Sequence, residues 1–305
     1  MKKLTKWSIT LASAVTLMTI PASLYFFQVA QVRAEKKFIN HTPLSKDNPV
    51  YPLSQSFLKR NLEKRSIKND GLELNAWWLP NTSKTNKTVI IAHGFNGSKE
   101  DMACYGEIFY QLGYNVLMPD NRGHGSSEGK LIGYGATDKR DYIKWIKQTI
   151  NKNPDAEITL FGLSMGAATV MMTSGESLPP QVKNIIEDCG YDSVWNELTY
   201  QAKEMYNLPK FPLLYEVSAI SKMRAGFWYQ EASSTAALAK NKLPVLFIHG
   251  DNDKFVPTEM VYNNYAATKG PKELWLVKGA KHANSVEVAT EAYINRVSQF
   301  LEKYH

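Results

Sequence analysis

Ile158-Thr159-Leu160-Phe161-Gly162-Leu163-Ser164-Met165-Gly166-Ala167-Ala168 is the stretch whose reading decides the fold. A β-leaning apolar run ends at Gly162. Ser164 follows two residues later, then Gly166, then small residues that start a helix well. Gly-x-Ser-x-Gly between a predicted strand and a predicted helix implies a sharp turn that holds Ser164 in a strained backbone conformation. Gly162 and Gly166 are required because side chains there would clash inside the turn. The Ser164 hydroxyl then stands above the sheet at a helix N-terminus, where the dipole favours developing negative charge. So short a string also arises by chance, and the elements around it must decide its meaning.

Working outward, Thr88–Ala92 reads as a strand buried on both faces, of the kind found in parallel sheets. It runs into His93-Gly94-Phe95-Asn96-Gly97-Ser98, and Ser98 caps a predicted helix through about Leu112. Tyr114–Pro119 is the next strand, followed by the loop Asp120-Asn121-Arg122-Gly123-His124-Gly125-Ser126-Ser127. His93 and His124 are read as structural. Tyr142, Trp145, Ile146, Thr149 and Ile150 share one face of a helix predicted over 135–151. Behind Ser164 come a helix to about Ser177 and a strand, Asn184–Glu187, that ends at Asp188-Cys189-Gly190. Strand and helix alternate throughout, which predicts an α/β architecture with a mostly parallel, doubly wound sheet.

Upstream, Glu63–Asn69 and Leu72–Leu79 form a predicted hairpin about Asn69-Asp70-Gly71, with Trp77 and Trp78 as packing residues. Downstream, no strand is visible between about 191 and 242. That region reads as a helical cap insert over the carboxyl ends of the strands, mostly docking on the domain and partly lining an apolar pocket. The sheet resumes at Leu243–Ile248 and ends in His249-Gly250-Asp251-Asn252-Asp253. Glu273–Val277 is the last strand, and His282 lies in the loop before a final amphipathic helix.

The chain has 305 residues, 44% hydrophobic and 21% charged, the composition of a globular protein rather than a disordered one. Its net charge of +7 permits contact with anionic surfaces but names no partner. Lys59, Arg60, Lys64, Arg65 and Lys68 read as a solvated face, and no nucleic-acid motif accompanies them. Cys104 and Cys189 match no metal or redox spacing and read as buried thiols, with a disulfide between them as the alternative. Lys2, Lys3 and Lys6 precede a run without charge from Trp7 to Val32. That run is long enough to span a bilayer of about 30 Å, so residues 1–35 are expected to be a signal anchor and transmembrane helix. Val32-Arg33-Ala34 offers the alternative of a cleaved signal and secretion. Residues 36–62 are a predicted tether and leading helix, with Phe57 and Leu58 packing on a domain that spans 63–305. The expected location is a cell membrane, single-pass, with that domain outside the cytoplasm.

The ordered set His-Gly-Phe (His93–Phe95), Asp-Asn-Arg-Gly-His-Gly (Asp120–Gly125), Gly-Leu-Ser-Met-Gly-Ala (Gly162–Ala167), Asp253 and His282 resembles the α/β-hydrolase superfamily. The first three of these motifs are similar to those of its Bem46-like and monoacylglycerol-lipase-like serine hydrolases. The resemblance covers about residues 63–303. It implies Ser164 as nucleophile, His282 as base and Asp253 as the acid that orients the imidazole, with Asp251 and Asp188 as rivals for the last role. It implies an oxyanion hole made by the backbone N–H groups of Phe95 and Met165. The expected activity is hydrolysis of acyl esters or thioesters through an acyl-enzyme, by a monomer without cofactor or metal. A peptidase of the same fold and a non-catalytic binding module are the alternatives.

Overall fold

In a computed structural model, which describes residues 19–34 and 44–304, the hairpin of β1 (Glu63–Asn69) and β2 (Leu72–Leu79) opens the sheet. Six further strands follow: β3 (Lys87–Ala92), β4 (Asn115–Pro119), β5 (Glu157–Leu163), β6 (Val182–Asp188), β7 (Val245–Gly250) and β8 (Lys272–Val277). Their spatial order is β1-β2-β4-β3-β5-β6-β7-β8, antiparallel about β2 and parallel from β4 onward. The α/β class and the doubly wound, mostly parallel sheet are as the sequence implies.

Period-two alternation explains why the central strands read as unbroken apolar runs. In β3, Val89 and Ile91 join one core, with Phe109, Phe161 and Phe300, while Ile90 and Ala92 join a second, with Trp145, Leu160 and Phe247. The first core lies under α2 (Tyr51–Leu58), α3 (Ala103–Gln111) and α11 (Thr290–Lys303). The second lies under α4 (Asp138–Lys152), α5 (Met165–Ser174), α8 (Ser234–Leu238) and α9 (Glu259–Ala267). In α4, Tyr142, Trp145, Ile146 and Thr149 are buried, the face their spacing predicts. Ser98 does cap, with Asp101 completing the capping box, but one 3-10 turn, Lys99–Met102, precedes α3. In the leading helix Phe57 is buried whereas Leu58 is exposed, so only one of the two predicted packing residues packs. Cys104 and Cys189 are free and buried.

Between β6 and β7 the cap insert is helical. It holds α6 (Val194–Tyr206), a turn at Lys210–Leu214, α7 (Tyr215–Ala225) and α8. A third core knits it to the main domain through Met165, Tyr191, Val194, Leu214, Val217 and Tyr229. Phe27 belongs to that core and is fully buried.

The N-terminal segment differs from expectation. Residues 19–31 form a helix, α1, and Ser23, Phe27 and Gln31 on it are buried against the domain. Val32 then pairs with Leu131 as an isolated antiparallel bridge. Residues 19–34, expected within a membrane anchor and outside the domain predicted over 63–305, thus pack on that domain instead. Buried polar groups at Ser23 and Gln31 find partners on the domain that a lipid surrounding would not supply. Among the described residues no helix is long and apolar enough to cross a membrane. The rest of the predicted span, and residues 35–43 of the predicted tether, lie outside the described residues.

Charged side chains fix the loop after β4. Arg122 grips Asp141 with Nε and one terminal nitrogen at 2.7 and 2.6 Å. Lys99 Nζ lies 2.6 Å from Asp120. Burial pushes the neighbouring Asp138 carboxyl up to about 6. Replacing Arg122 with Met removes the partner and leaves Asp141 and Asp138 buried together. Such a loss costs about 3–5 kcal/mol. The expected result is a lower urea midpoint with an unchanged slope; a midpoint equal to the wild type would show that the pair contributes nothing.

Candidate active site

Ser164 occupies the turn between β5 and α5 with φ 56° and ψ −117°, a conformation that disfavours any residue bearing a Cβ. Its amide donates to the Asp188 carbonyl at 2.8 Å, which pins the turn to β6. The flanking glycines make the geometry possible. A Cβ on Gly162 would lie 2.2 Å from the Gly166 carbonyl oxygen, and one on Gly166 would lie 2.1 Å from that of Ala92. Both obstacles are backbone, so neither can swing away.

Three side chains from distant parts of the chain converge. Ser164 Oγ is 2.9 Å from His282 Nε2, and His282 Nδ1 is 2.8 Å from Asp253 Oδ2. His282 sits in the loop after β8, against the Phe255 ring at a centroid distance of 4.8 Å. An ionised carboxylate only accepts, so Nδ1 carries the proton and Nε2 is free to accept from the serine hydroxyl. The other Asp253 oxygen accepts the amides of Phe255 and Val256 at 2.9 and 3.0 Å. Burial alone would raise the Asp253 carboxyl. Hydrogen bonds from His249 and His282 outweigh it and hold the group well below the usual carboxylate range.

The rivals for the acid position are engaged elsewhere. Asp251 is exposed and accepts the Gly279 amide. Asp188 accepts the Tyr293 hydroxyl at 2.9 Å, and burial pushes it up to about 7. His93 accepts the Asn121 amide at 2.9 Å and donates to the Gly94 carbonyl. His124 accepts the Asn96 amide and is pushed down to about 3 by burial. Both therefore hold loops, as expected.

One residue was missed in the sequence. His249, at the end of β7, places Nε2 3.3 Å from Asp253 Oδ2 and 3.0 Å from the Val256 carbonyl. It meets the same Asp253 oxygen that His282 contacts. The signal was present as the four-residue spacing from His249 to Asp253, but a histidine at a strand end reads equally well as core.

Phe95 and Met165, the predicted oxyanion donors, line a cavity of about 120 Å³ together with Ser164. Gly94 brings the first of these turns beside the serine: a Cβ there would meet Ser164 Cβ at 3.5 Å. The remaining walls are largely apolar and include Tyr134, Leu198 and Val217. Among the described residues, ligand atoms of Cys189, Asp253 and His282 lie within 4.8 Å of one another. Two of the three are engaged with each other and with Ser164, and burial holds the Cys189 thiol well above its ordinary value.

Two carboxyls near the site have an unusual protonation, and Glu197 is itself part of the cavity lining. Burial pushes Glu187 and Glu197 each up to about 8. A carboxyl whose folded value is raised binds its proton more tightly when folded. Stability from that source is complete below the unfolded value of about 4.3 and is lost as pH rises through the folded one. Unfolding free energy should thus fall between about pH 4.5 and 8, and Glu187→Gln should flatten that slope. Urea titrations at stepped pH measure it, and a variant with the wild-type slope would contradict the assignment.

Comparison with known proteins agrees with this fold. A family model described as the alpha/beta hydrolase fold matches residues 87–212. The YqkD protein of Bacillus subtilis is 34% identical over 219 residues, which is 72% of this chain and 72% of that one. Among solved structures, the esterase Pf2001 of Pyrococcus furiosus superposes with a TM-score of 0.67 at 24% identity, covering 90% of this chain and 98% of that one. An acylaminoacyl peptidase of Pyrococcus horikoshii superposes with a TM-score of 0.61 at 19% identity, covering 80% of this chain and 41% of that one. At those identities the structures share the fold with this chain.

Proposed function

The chain belongs to the α/β-hydrolase superfamily, and on that premise we propose that it is a serine-dependent hydrolase of carboxylic esters or thioesters. One observation carries the proposal: the unbroken line of hydrogen bonds from Ser164 through His282 to an ionised Asp253. An alcohol is a weak nucleophile at neutral pH and needs such a base.

Ser164 Oγ attacks the substrate carbonyl carbon while His282 Nε2 takes the hydroxyl proton. The carbonyl oxygen becomes an oxyanion, stabilised by the amides of Phe95 and Met165 and by the N-terminus of α5. Asp253 stabilises the imidazolium. The tetrahedral intermediate collapses, the leaving alcohol or thiol departs with the proton from His282, and an acyl-enzyme remains on Ser164. Water, activated by His282, then releases the acid. Each oxyanion donor is worth about 3–4 kcal/mol in such a transition state.

The lining of the cavity favours an apolar acyl group over a peptide. Among the described residues Glu197 is the one carboxyl in the lining, and burial favours the neutral form of that side chain at neutral pH. We extend the proposal to location. A basic head followed by an uncharged run is the mark of an exported or membrane-held chain, with the hydrolase domain outside the cytoplasm. Protease added to intact cells would degrade the domain; survival until lysis would defeat that part.

Ser164→Ala is expected to abolish fluorophosphonate labelling and to lower p-nitrophenyl acetate hydrolysis by at least about 10³-fold. Asp253→Asn is expected to lower kcat by about 10⁴-fold with little change in KM. Wild-type turnover by the Ser164 variant would overturn the mechanism.

A further inference from the structure

The cavity at Ser164 is not closed by the cap alone. Phe26, Val29 and Ala30 of α1 line it from the side facing Leu198, Tyr206 and Val217 of the cap. Val29 and Ala30 are half-buried and belong to the lining. Phe26 meets Tyr206 edge to face at a centroid distance of 5.1 Å, which joins α1 to α6 along the rim.

Polar clasps fix α1 at both ends. Toward its start, Glu216 on α7 accepts the hydroxyls of Thr19 and Ser23. Toward its end, the fully buried Gln31 donates to the Ile132 carbonyl at 3.1 Å and accepts the Tyr229 hydroxyl at 3.0 Å. The Tyr134 hydroxyl donates to the Ala30 carbonyl. Beyond the helix, Arg33 donates to the carbonyls of Ser127 and Gly125 at 2.8 and 2.6 Å. Nonspecific apolar adhesion would not match hydrogen-bonding groups at four separate places. The segment has a defined seat, and that seat borders the cavity at Ser164.

We propose that α1 is a wall of the acyl site, and that Phe26, Val29 and Ala30 set the length of acyl chain the enzyme accepts. This rests on the ester-hydrolase reading above. The carbonyl of the substrate sits at Ser164, and its acyl chain runs between α1 and the cap. Bulk added at Val29 or Ala30 shortens the groove, and bulk removed at Phe26 lengthens it.

The test uses the purified full-length chain and p-nitrophenyl acetate, octanoate and dodecanoate. Val29→Trp and Ala30→Trp are expected to lower the octanoate-to-acetate ratio of kcat/KM at least tenfold. Phe26→Ala is expected to raise the dodecanoate-to-octanoate ratio severalfold. Because a bulky residue can dislodge α1, the truncation keeps the idea falsifiable, and fluorophosphonate labelling of Ser164 in each variant shows that the fold is retained. Ratios within twofold of the wild type in all three labelled variants would overturn the wall. A wild-type protein that takes no label and cleaves no ester would instead overturn the ester reading, and the wall with it.

Discussion

Everything at the site depends on two missing methyl groups. Helix α5 can begin against the ends of β3 and β5 only because Gly162 and Gly166 carry no Cβ. That close approach forces Ser164 into positive φ and lifts its hydroxyl clear of the sheet. A strained backbone of this kind costs roughly 1–3 kcal/mol and persists only where its surroundings fix it. Here they do so through the parallel pairing of β5 with β3 and β6, and through the Ser164 amide on the Asp188 carbonyl. The sheet is therefore the device that holds one hydroxyl in a costly position.

The second organising fact is electrostatic. Several carboxyls lie buried within a short distance of the site, and burial drives Glu187, Asp188 and Glu197 toward the neutral form. Asp253 is driven the other way because two histidines and two backbone amides all donate to it. Hydrogen bonds to the charged form outweigh desolvation there and not elsewhere. Of these carboxyls, the one that faces His282 is held most firmly in its charged form.

The N-terminal segment has two mutually exclusive uses. A bilayer span takes about 20 apolar residues, and an uncharged run ending at Val32 reaches that length only by including α1. The same residues cannot line the cavity and cross a membrane at once. In the described state they line it, with Gln31 and Ser23 satisfied by partners on the domain.

Composition and order alone determined much of this protein. The Gly-x-Ser-x-Gly turn, the alternation of strand and helix, the hairpin at Asn69-Asp70-Gly71 and the order Ser164, Asp253, His282 were legible because each is a local pattern with a local physical cause. The choice of Asp253 over Asp251 and Asp188 became geometric only in three dimensions. All three lie at strand ends, and only the loop path shows which carboxylate meets an imidazole. His249 escaped notice because its partner is set by a turn rather than by a period. The seat of α1 was invisible for a deeper reason: an uncharged helix is equally suited to lipid or to a protein groove, and only the shape and hydrogen-bonding groups of that groove distinguish the two.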